Sequence, residues 1–173
     1  YLIVVNAANA DKDWDWLNAV NERRVIIDRD DPDKEVVGQA ILRNLKDPSS
    51  GRRQKVDIAL QGPNSLAILQ SLTDDDELKN RLARMKRTWL IEAELGGLDL
   101  VVAQTGYCGE EIGYEIFVHP SDAPRLWNLL LEKGEPFGLK PAGLGARDST
   151  RTEAGLPLYG HELAGPFNID PLA

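Results

Sequence analysis

Two alternating apolar stretches joined by a pair of glycines restrict the possible folds of this chain most strongly. Residues 88–95 (TWLIEAEL) and 98–104 (LDLVVAQ) are typical of strands, and Gly96-Gly97 lies between them. Two adjacent glycines suit the tight hairpin turns whose central residues take positive φ. The sequence therefore predicts an antiparallel strand pair, which argues against a doubly wound parallel sheet.

Helical and strand patterns are mixed along the rest of the chain. Apolar spacing and closing glycines predict helices over residues 11–21, 64–72, 73–84, 123–132 and 144–155. Asn64, a Thr73–Asp76 capping box and Ser121 are the predicted caps, with Pro124 in a first turn. Further strands are predicted over residues 1–5, 24–28, 56–60 and 114–119. This mixture predicts an α+β fold with mixed or antiparallel sheets and packed helices.

Residues 28–54 differ in character from the rest. The segment is charged, shows one amphipathic helical pattern at about 35–45, and ends in the helix-breaking run Asp47-Pro48-Ser49-Ser50-Gly51. We therefore predict an insertion at the surface. The predicted division is residues 1–55, the remainder of an N-terminal α/β segment that includes this insertion, and residues 56–173, an α+β region.

Charge and cysteine content exclude several classes of function. The 173 residues carry a net charge of −8, which opposes tight binding to nucleic acids or anionic membranes. A single cysteine, Cys108, rules out an internal disulfide framework and indicates a reducing, aqueous compartment, the cytoplasm or, in a eukaryote, the mitochondrial matrix. His119 and His161 lack HxxxH or CxxC companions, so no metal site is predicted.

The glycine-rich loop before the strand at 114–119 carries the first candidate site. In the sequence AQTGYCGEEIGYEIFVHP (103–120), Tyr114 shares one strand face with Ile116, while Glu115 and Phe117 point the other way. Such a carboxylate lies at a solvent edge or is paired. Its two coplanar oxygens match adjacent N–H donors on a flat heterocycle such as a pterin or purine. The alternative is an exposed strand glutamate without a role.

The last predicted helix carries the second candidate. Arg147 and Arg151 lie four residues apart on one helix face, and Gly145-Ala146 would allow another molecule to approach the helix start. Surface arginines in local ion pairs are the alternative interpretation.

Several segments, taken together, resemble one known family. The segments YLIVVNAAN, ALQGPNSLAILQSL, TGYCGEEIGYEIFV, LWNLLLEKGEPFGLKPAGLGARDSTRTEAGLPLYGHEL and DPLA occur in the order found in the aminomethyltransferases. These are the T-proteins of the glycine cleavage system and their folate-dependent relatives. The resemblance covers most of residues 1–21 and 56–173.

The resemblance implies a fold, a reaction and a set of binding residues. The implied fold is the folate-binding one, with residues 56–173 as the folate-binding region and without the family's C-terminal β-rich domain. In the family, the methylene of an aminomethyl group, carried on the lipoyl arm of the H-protein, passes to tetrahydrofolate, a co-substrate, with loss of ammonia. Matching positions imply that Glu115 grips the pterin, that Arg147 and Asn6 line the pocket, and that Tyr107 forms a wall. The family's catalytic aspartate precedes the segment matching residue 1, so we expect no catalytic residue and no activity in this sequence alone.

Two departures keep other functions open. The 28–54 segment is not expected in a plain T-protein, and Cys108 stands where threonine is common. Methyl transfer to folate from an N-methyl or sulfonium donor is one alternative. The others are a non-catalytic folate-binding module, whose Lys-Gly-Cys signature is not seen here, and the folate domain of a flavoenzyme.

Overall fold

A computed structural model describes residues 1–159 and 161–163 of the chain. Two compact units are present. One comprises Leu45–Leu156, and the other comprises Tyr1–Asn44 with the described residues from Pro157 onward. The predicted division of the chain at residue 55 stays a prediction about domain organisation.

An antiparallel four-stranded sheet forms the centre of the Leu45–Leu156 unit. Its strands are β1 (Val56–Gln61), β2 (Leu90–Leu95), β3 (Leu98–Gln104) and β4 (Gly113–Val118), in the spatial order β1-β4-β3-β2. The helices are α2 (Ser65–Gln70), α3 (Asp76–Ala83), α4 (Ala123–Gly134) and α5 (Leu144–Glu153). This arrangement confirms the predicted α+β class.

The predicted Gly-Gly hairpin is confirmed. Leu95 and Leu98 are paired at its end, and Gly96 and Gly97 take φ values of 59° and 69°. Both are in the left-handed region that favours glycine. The Arg125 guanidinium donates to the Gly96 carbonyl at 2.9 Å, which ties the turn to α4.

One face of the sheet forms the hydrophobic core. Alternation along β4 directs Tyr114, Ile116 and Val118 inward, where each is at most 2 % exposed. The helices α2, α3 and α4 contribute the apolar side chains that cover this face: Ile68, Leu69, Leu78, Leu82, Leu126 and Leu130. The opposite face of the sheet is therefore left to Glu115 and its neighbours, as the strand pattern predicted.

Helix positions were predicted better than helix caps. The carboxylate of Asp75 accepts from the backbone N–H groups of Glu77 and Leu78, so Asp75 caps α3. The Thr73 hydroxyl instead accepts from the backbone N–H of Asp75, so the predicted capping box is wrong. Similarly, α4 follows Asp122 and not Ser121, which lies in a preceding 3-10 turn. Asn64 is at the N-cap position of α2 but makes no side-chain capping hydrogen bond, and its amide nitrogen donates to the Phe137 carbonyl at 3.0 Å.

The unit containing Tyr1–Asn44 has one α-helix among its described residues, α1 (Ala10–Asn21), preceded by a 3-10 turn at Ala7–Asn9. The predicted buried strand at residues 1–5 is wrong: Ile3 and Val4 are 62 % and 55 % exposed, and no described strand pairs with them. An apolar run specifies a strand only where a partner strand completes its hydrogen bonds.

The predicted strand at 24–28 and helix at 35–45 are also wrong, and contacts with the end of α1 explain why. The Arg24 backbone N–H donates to the Ala19 carbonyl at 2.8 Å, closing the helix instead of starting a strand. The Asn21 amide accepts from the Ala40 backbone N–H at 2.7 Å and donates to the Ala40 carbonyl at 3.0 Å. The Asn21 side chain thus satisfies the backbone N–H and C=O groups of Ala40, which would have formed hydrogen bonds within the predicted helix at 35–45.

The end of the predicted insertion does form a compact turn. A 3-10 stretch runs over Pro48–Arg53, and the Asp47 carboxylate accepts from the Ser49 backbone N–H at 2.7 Å. The Lys55 backbone N–H closes the loop onto the Leu45 carbonyl at 2.8 Å. No residue from 28 to 54 is buried, as a surface segment requires. Within the described ranges, no helix has the length and apolar character needed to cross a membrane.

Candidate functional site

Glu115 lies on the face of the sheet opposite the core. It is the third residue of β4, directly across from Ala59 on β1 and Ala103 on β3. Both neighbours are alanines, so the longer Glu115 side chain stands between two small ones and is half-buried. Flanking side chains this small leave space beside the carboxylate on its own face.

The electrostatic surroundings of Glu115 combine one carboxylate and one guanidinium. Burial raises the pKa of Glu115, the negative charge of Asp57 raises this pKa further, and Arg147 lowers it. Burial of the carboxylate likewise raises the pKa of Asp57, although the residue keeps solvent exposure, and Arg147 lowers that pKa most among the opposing groups. A single arginine on α5 therefore acts on both carboxylates.

Arg147 and Tyr107 meet across the glycine-rich loop. The guanidinium carbon of Arg147 lies 5.4 Å from the centre of the Tyr107 ring, within the range of a cation–π contact. Arg147 is in the first turn of α5, which begins after Gly143 in extended conformation. An exposed cation at the start of α5 and an aromatic ring of the loop thus lie together, and the cation acts electrostatically on Glu115.

The glycines of the loop make room for Gln61. The Gln61 amide donates to the Tyr114 carbonyl at 3.1 Å and to the Thr105 carbonyl at 3.3 Å. A Cβ atom on Gly106 or Gly113 would lie 2.1 or 2.0 Å from Gln61 Oε1, so only glycine permits this contact. The Gln61 side chain thereby fastens both ends of the loop that leads into β4.

Gly109 of the same loop packs closely against the end of α5. Gly109 has a φ of 86°, and a Cβ atom there would lie 2.5 Å from the Ala154 Cβ atom. Cys108 lies next to it, and its thiol donates to Gln61 Oε1 at 3.5 Å. Its contacts are those of a structural residue.

The two arginines of α5 have different surroundings. Arg147 is exposed, whereas Arg151 is only 3 % exposed and is paired with Asp148. The Arg151 guanidinium also donates to the Leu156 carbonyl at 3.3 Å, which holds the exit of the helix. Arg151 is therefore a structural residue. The i, i+3 spacing from Asp148 was the sequence signal for this local pair.

Asn6 lies in the other compact unit. Its side-chain oxygen accepts from the Ala8 backbone N–H at 3.0 Å, capping the 3-10 turn. It also borders a pocket of about 360 Å³, whose lining comprises Ile3, Val4, Val5, Asn6, Asp13, Trp16, Leu17 and Tyr159. The walls are mostly apolar, with Asn6 and Asp13 supplying polar atoms.

The structure thus brings Glu115, Arg147 and Tyr107 into one region and adds residues that the sequence did not reveal. Asp57 and Lys46 both act on this region electrostatically. Alternation along β1 puts Asp57 on the same face as Ala59, but its place beside Glu115 follows only from the β1–β4 register. No local sequence pattern places Lys46 near this site. Over residues 1–159 and 161–163, no group of three or more His, Cys, Asp or Glu side chains could hold a metal ion.

These features define an α+β domain with a half-buried carboxylate suited to a flat donor-bearing ligand. Comparison with known proteins then gives the family. The chain belongs to the GCVT N-terminal domain family, whose sequence model matches residues 1–171.

Related bacterial proteins agree with this assignment. The chain is 42 % identical over 166 residues to an aminomethyltransferase of Bacillus licheniformis, covering 95 % of this chain and 38 % of that protein. It is 41 % identical to an aminomethyltransferase of Caldanaerobacter subterraneus subsp. tengcongensis, covering 99 % of this chain and 39 % of that protein. The chain is also 42 % identical to an aminomethyltransferase of Desulfitobacterium hafniense, covering 99 % of this chain and 40 % of that protein. The chain spans about two fifths of the length of these relatives.

Proposed function

We propose that the protein transfers an aminomethyl-derived methylene group to tetrahydrofolate, as in the glycine cleavage system, and that this chain supplies part of the folate site. Family membership and the names of the relatives support the reaction class. One structural observation carries the site: Glu115 is a half-buried carboxylate flanked by two alanines on the non-core face of the sheet.

Glu115 has the chemistry to recognise a pterin edge. An ionised carboxylate accepts two parallel hydrogen bonds, and the pterin presents an amide N–H beside an amino group. A half-buried acceptor forms such bonds with less competition from water than an exposed one. In this proposal Glu115 fixes the orientation of the heterocycle within the plane of its ring.

Arg147 and Tyr107 bound the same region from the α5 side. Their cation–π contact holds an arginine and an aromatic ring together, and both groups can pack against a flat conjugated ligand. Asn6 is proposed as a further ligand contact because it matches a pocket-lining position of the family, and it borders a pocket in its own unit. Its side-chain amide nitrogen remains a hydrogen-bond donor while its oxygen caps the 3-10 turn.

The proposed reaction requires alignment more than covalent catalysis by the protein. N5 of tetrahydrofolate, a nucleophile, bonds to the methylene carbon as the bond from that carbon to the amine breaks and ammonia leaves. N10 then bonds to the same carbon as the bond from that carbon to the lipoyl sulfur breaks, and the protons lost from N5 and N10 are taken up by the ammonia and by the lipoyl thiol. Holding donor and acceptor in reactive geometry contributes through effective concentration. Charged groups near the developing iminium or leaving amine contribute electrostatically. The proposed donor is a lipoylated carrier protein, the H-protein of the system.

Calorimetry with tetrahydrofolate on the intact protein tests the site. Glu115→Gln keeps the shape of the side chain and removes its charge, so the affinity should fall about 10- to 100-fold, the range for losing charged hydrogen bonds. Glu92→Gln is the matched control, because Glu92 is an exposed glutamate on β2 of the same sheet. Unchanged binding by Glu115→Gln would show that Glu115 is not the anchor.

A turnover assay tests the donor. Incubation of the intact protein with aminomethyl-loaded lipoylated carrier and tetrahydrofolate should yield methylenetetrahydrofolate and ammonia in equal amounts. Formation of methyltetrahydrofolate from an N-methyl or sulfonium compound instead would reject the proposed reaction while leaving the folate site intact.

A further inference from the structure

The two alanines beside Glu115 differ in their exposure to solvent. Glu115 on β4 is directly opposite Ala59 on β1 and Ala103 on β3, so the three side chains form one cross-strand row on the non-core face. Ala103 is only 8 % exposed, whereas Ala59 is exposed. The space beside Glu115 is therefore closed on the β3 side and open on the β1 side.

The position of β1 in the sheet makes this open side accessible. In the order β1-β4-β3-β2, β1 pairs with β4 on one side, and no strand of the described residues pairs with it on the other. A ligand can thus reach Ala59 from the edge of the sheet. Opposite residues of an antiparallel pair have their Cβ atoms about 4.5–5.5 Å apart, so a ring over Ala59 has its edge beside the Glu115 side chain.

The neighbours of Ala59 along β1 make it a small apolar step between polar groups. By alternation, Asp57 and Gln61 lie on the same face as Ala59, one on each side of it. The Gln61 amide is already bonded to backbone carbonyls of the glycine-rich loop and its strand. The single methyl group of Ala59 offers a flat ring an apolar contact, and a longer side chain would occupy the position of the ring.

We propose that the ligand ring lies over Ala59, on the β1 side of Glu115, and that the size of residue 59 determines which rings the site accepts. This inference deepens the proposed function and rests on it for the identity of the ligand, the pterin of tetrahydrofolate. Glu115 supplies the hydrogen-bond acceptors, and Ala59 is a specificity-determining residue because it limits the approach of the ring.

Methyl NMR of the intact protein labelled with ¹³C-methyl alanine tests the position of the ring. Pterin, the heterocycle without the tail of folate, is the probe, and Ala59→Ser and Ala103→Ser identify the two signals. A methyl group above the face of an aromatic ring shifts upfield. The Ala59 signal should therefore move upfield on addition of pterin, and the Ala103 signal should move less. A larger shift of the Ala103 signal overturns the proposal.

A size series at residue 59, measured by calorimetry, tests the role in specificity. Ala59→Ser changes the volume little and should keep the tetrahydrofolate affinity of the wild type. Ala59→Val should lower this affinity roughly 5- to 100-fold, the range that corresponds to overpacking a close contact. The affinity for pterin should fall by the same factor, because the contact is with the ring. Glu92→Val is the matched control, since it puts valine on the same face of the other edge strand, β2, and it should bind normally.

Unfolding in urea separates a ligand contact from damage to the sheet. Residue 59 is exposed and valine is favoured in strands, so the unfolding midpoint of Ala59→Val should be no lower than that of the wild type. If Ala59→Val does not fold, Ala59→Thr, which has the same shape, serves as the second variant.

The outcomes separate this proposal from the proposed function. Unchanged affinity in a folded Ala59→Val overturns the role of Ala59, and the proposed function stands if Glu115→Gln still weakens binding. A loss of affinity for tetrahydrofolate without a loss for pterin also overturns this role, because the contact is then with the tail. If the wild type binds pterin over Ala59 but binds no tetrahydrofolate, the proposed function is wrong and the role of Ala59 stands. Binding of neither compound overturns both.

Discussion

The contact between Gln61 and Gly113 allows a quantitative test of how the loop before β4 is built. The two residues are directly opposite each other in the β1–β4 register. Replacing Gly113 by alanine would put a Cβ atom 2.0 Å from Gln61 Oε1 and 2.6 Å from its Cδ atom. The amide must move, so its bonds to the Tyr114 and Thr105 carbonyls are lost.

The expected free energies follow from these contacts. Two hydrogen bonds at about 0.5–1.5 kcal/mol each give a loss of about 1–3 kcal/mol. Gly113 has no positive φ, so alanine fits its backbone conformation. Because alanine also lowers the conformational entropy of the unfolded chain, it should stabilise the folded protein by about 0.4–1 kcal/mol and partly offset this loss. In a Gln61→Ala background the clash and the two bonds are absent. There, Gly113→Ala should be neutral or slightly stabilising.

Urea unfolding of the wild type, both single variants and the double variant measures this coupling. We expect a coupling free energy of about 1–3 kcal/mol, well above the roughly 0.3–0.5 kcal/mol within which independent sites add. Gly145→Ala is the control, because no atom lies within 4 Å of a Cβ atom at that position. Additive effects of Gln61→Ala and Gly113→Ala would refute this account of the glycine.

Two further predictions concern charged side chains. Arg151→Met should lower the free energy of unfolding by about 1.5–3 kcal/mol in chemical denaturation, the range for losing hydrogen bonds to a charged group, because the Asp148 left behind is exposed. A loss under about 0.5 kcal/mol, the usual limit for surface substitutions, would contradict the structural role of Arg151. Glu115 has a raised pKa in the folded state, so the folded protein binds more protons than the unfolded chain between the two pKa values, and stability should fall as pH rises through that window. Glu115→Gln should therefore be at least as stable as the wild type at neutral pH. This difference in stability should disappear below the unfolded-state pKa of glutamate, about 4.3. If the stability of the variant relative to the wild type is lower at pH 7 than at pH 4, the sign of this argument is wrong.

The sheet was predictable because its signals are local. Alternation fixed the faces of β4, and the Gly96-Gly97 pair fixed the hairpin, so Glu115 and Ile116 were assigned to opposite faces correctly. The errors lie where side chains from elsewhere satisfy the backbone. The amide of Asn21 binds the backbone of Ala40, and no pattern within residues 35–45 records that contact.

The candidate site was predictable only in part, for a related reason. The resemblance singled out Glu115 and Arg147, but sequence spacing gives no distance between a strand and a helix more than thirty residues later. Asp57 requires the β1–β4 register, which becomes known only when the strand order is known. The contact of Gln61 with Gly113 depends on the same register.

The position of Glu115 is difficult to explain by stability alone. Burial raises the energy of its ionised form, and the nearby carboxylate of Asp57 raises it further. The Arg147 guanidinium opposes both effects, but it acts on Asp57 as well as on Glu115. A neutral or apolar residue between Ala59 and Ala103 would avoid these terms and keep the core face unchanged. Carboxylates whose pKa is raised by such conditions cluster at functional sites. The small flanking residues fit the same explanation, because they leave room for a ring to approach the Glu115 oxygens edge-on.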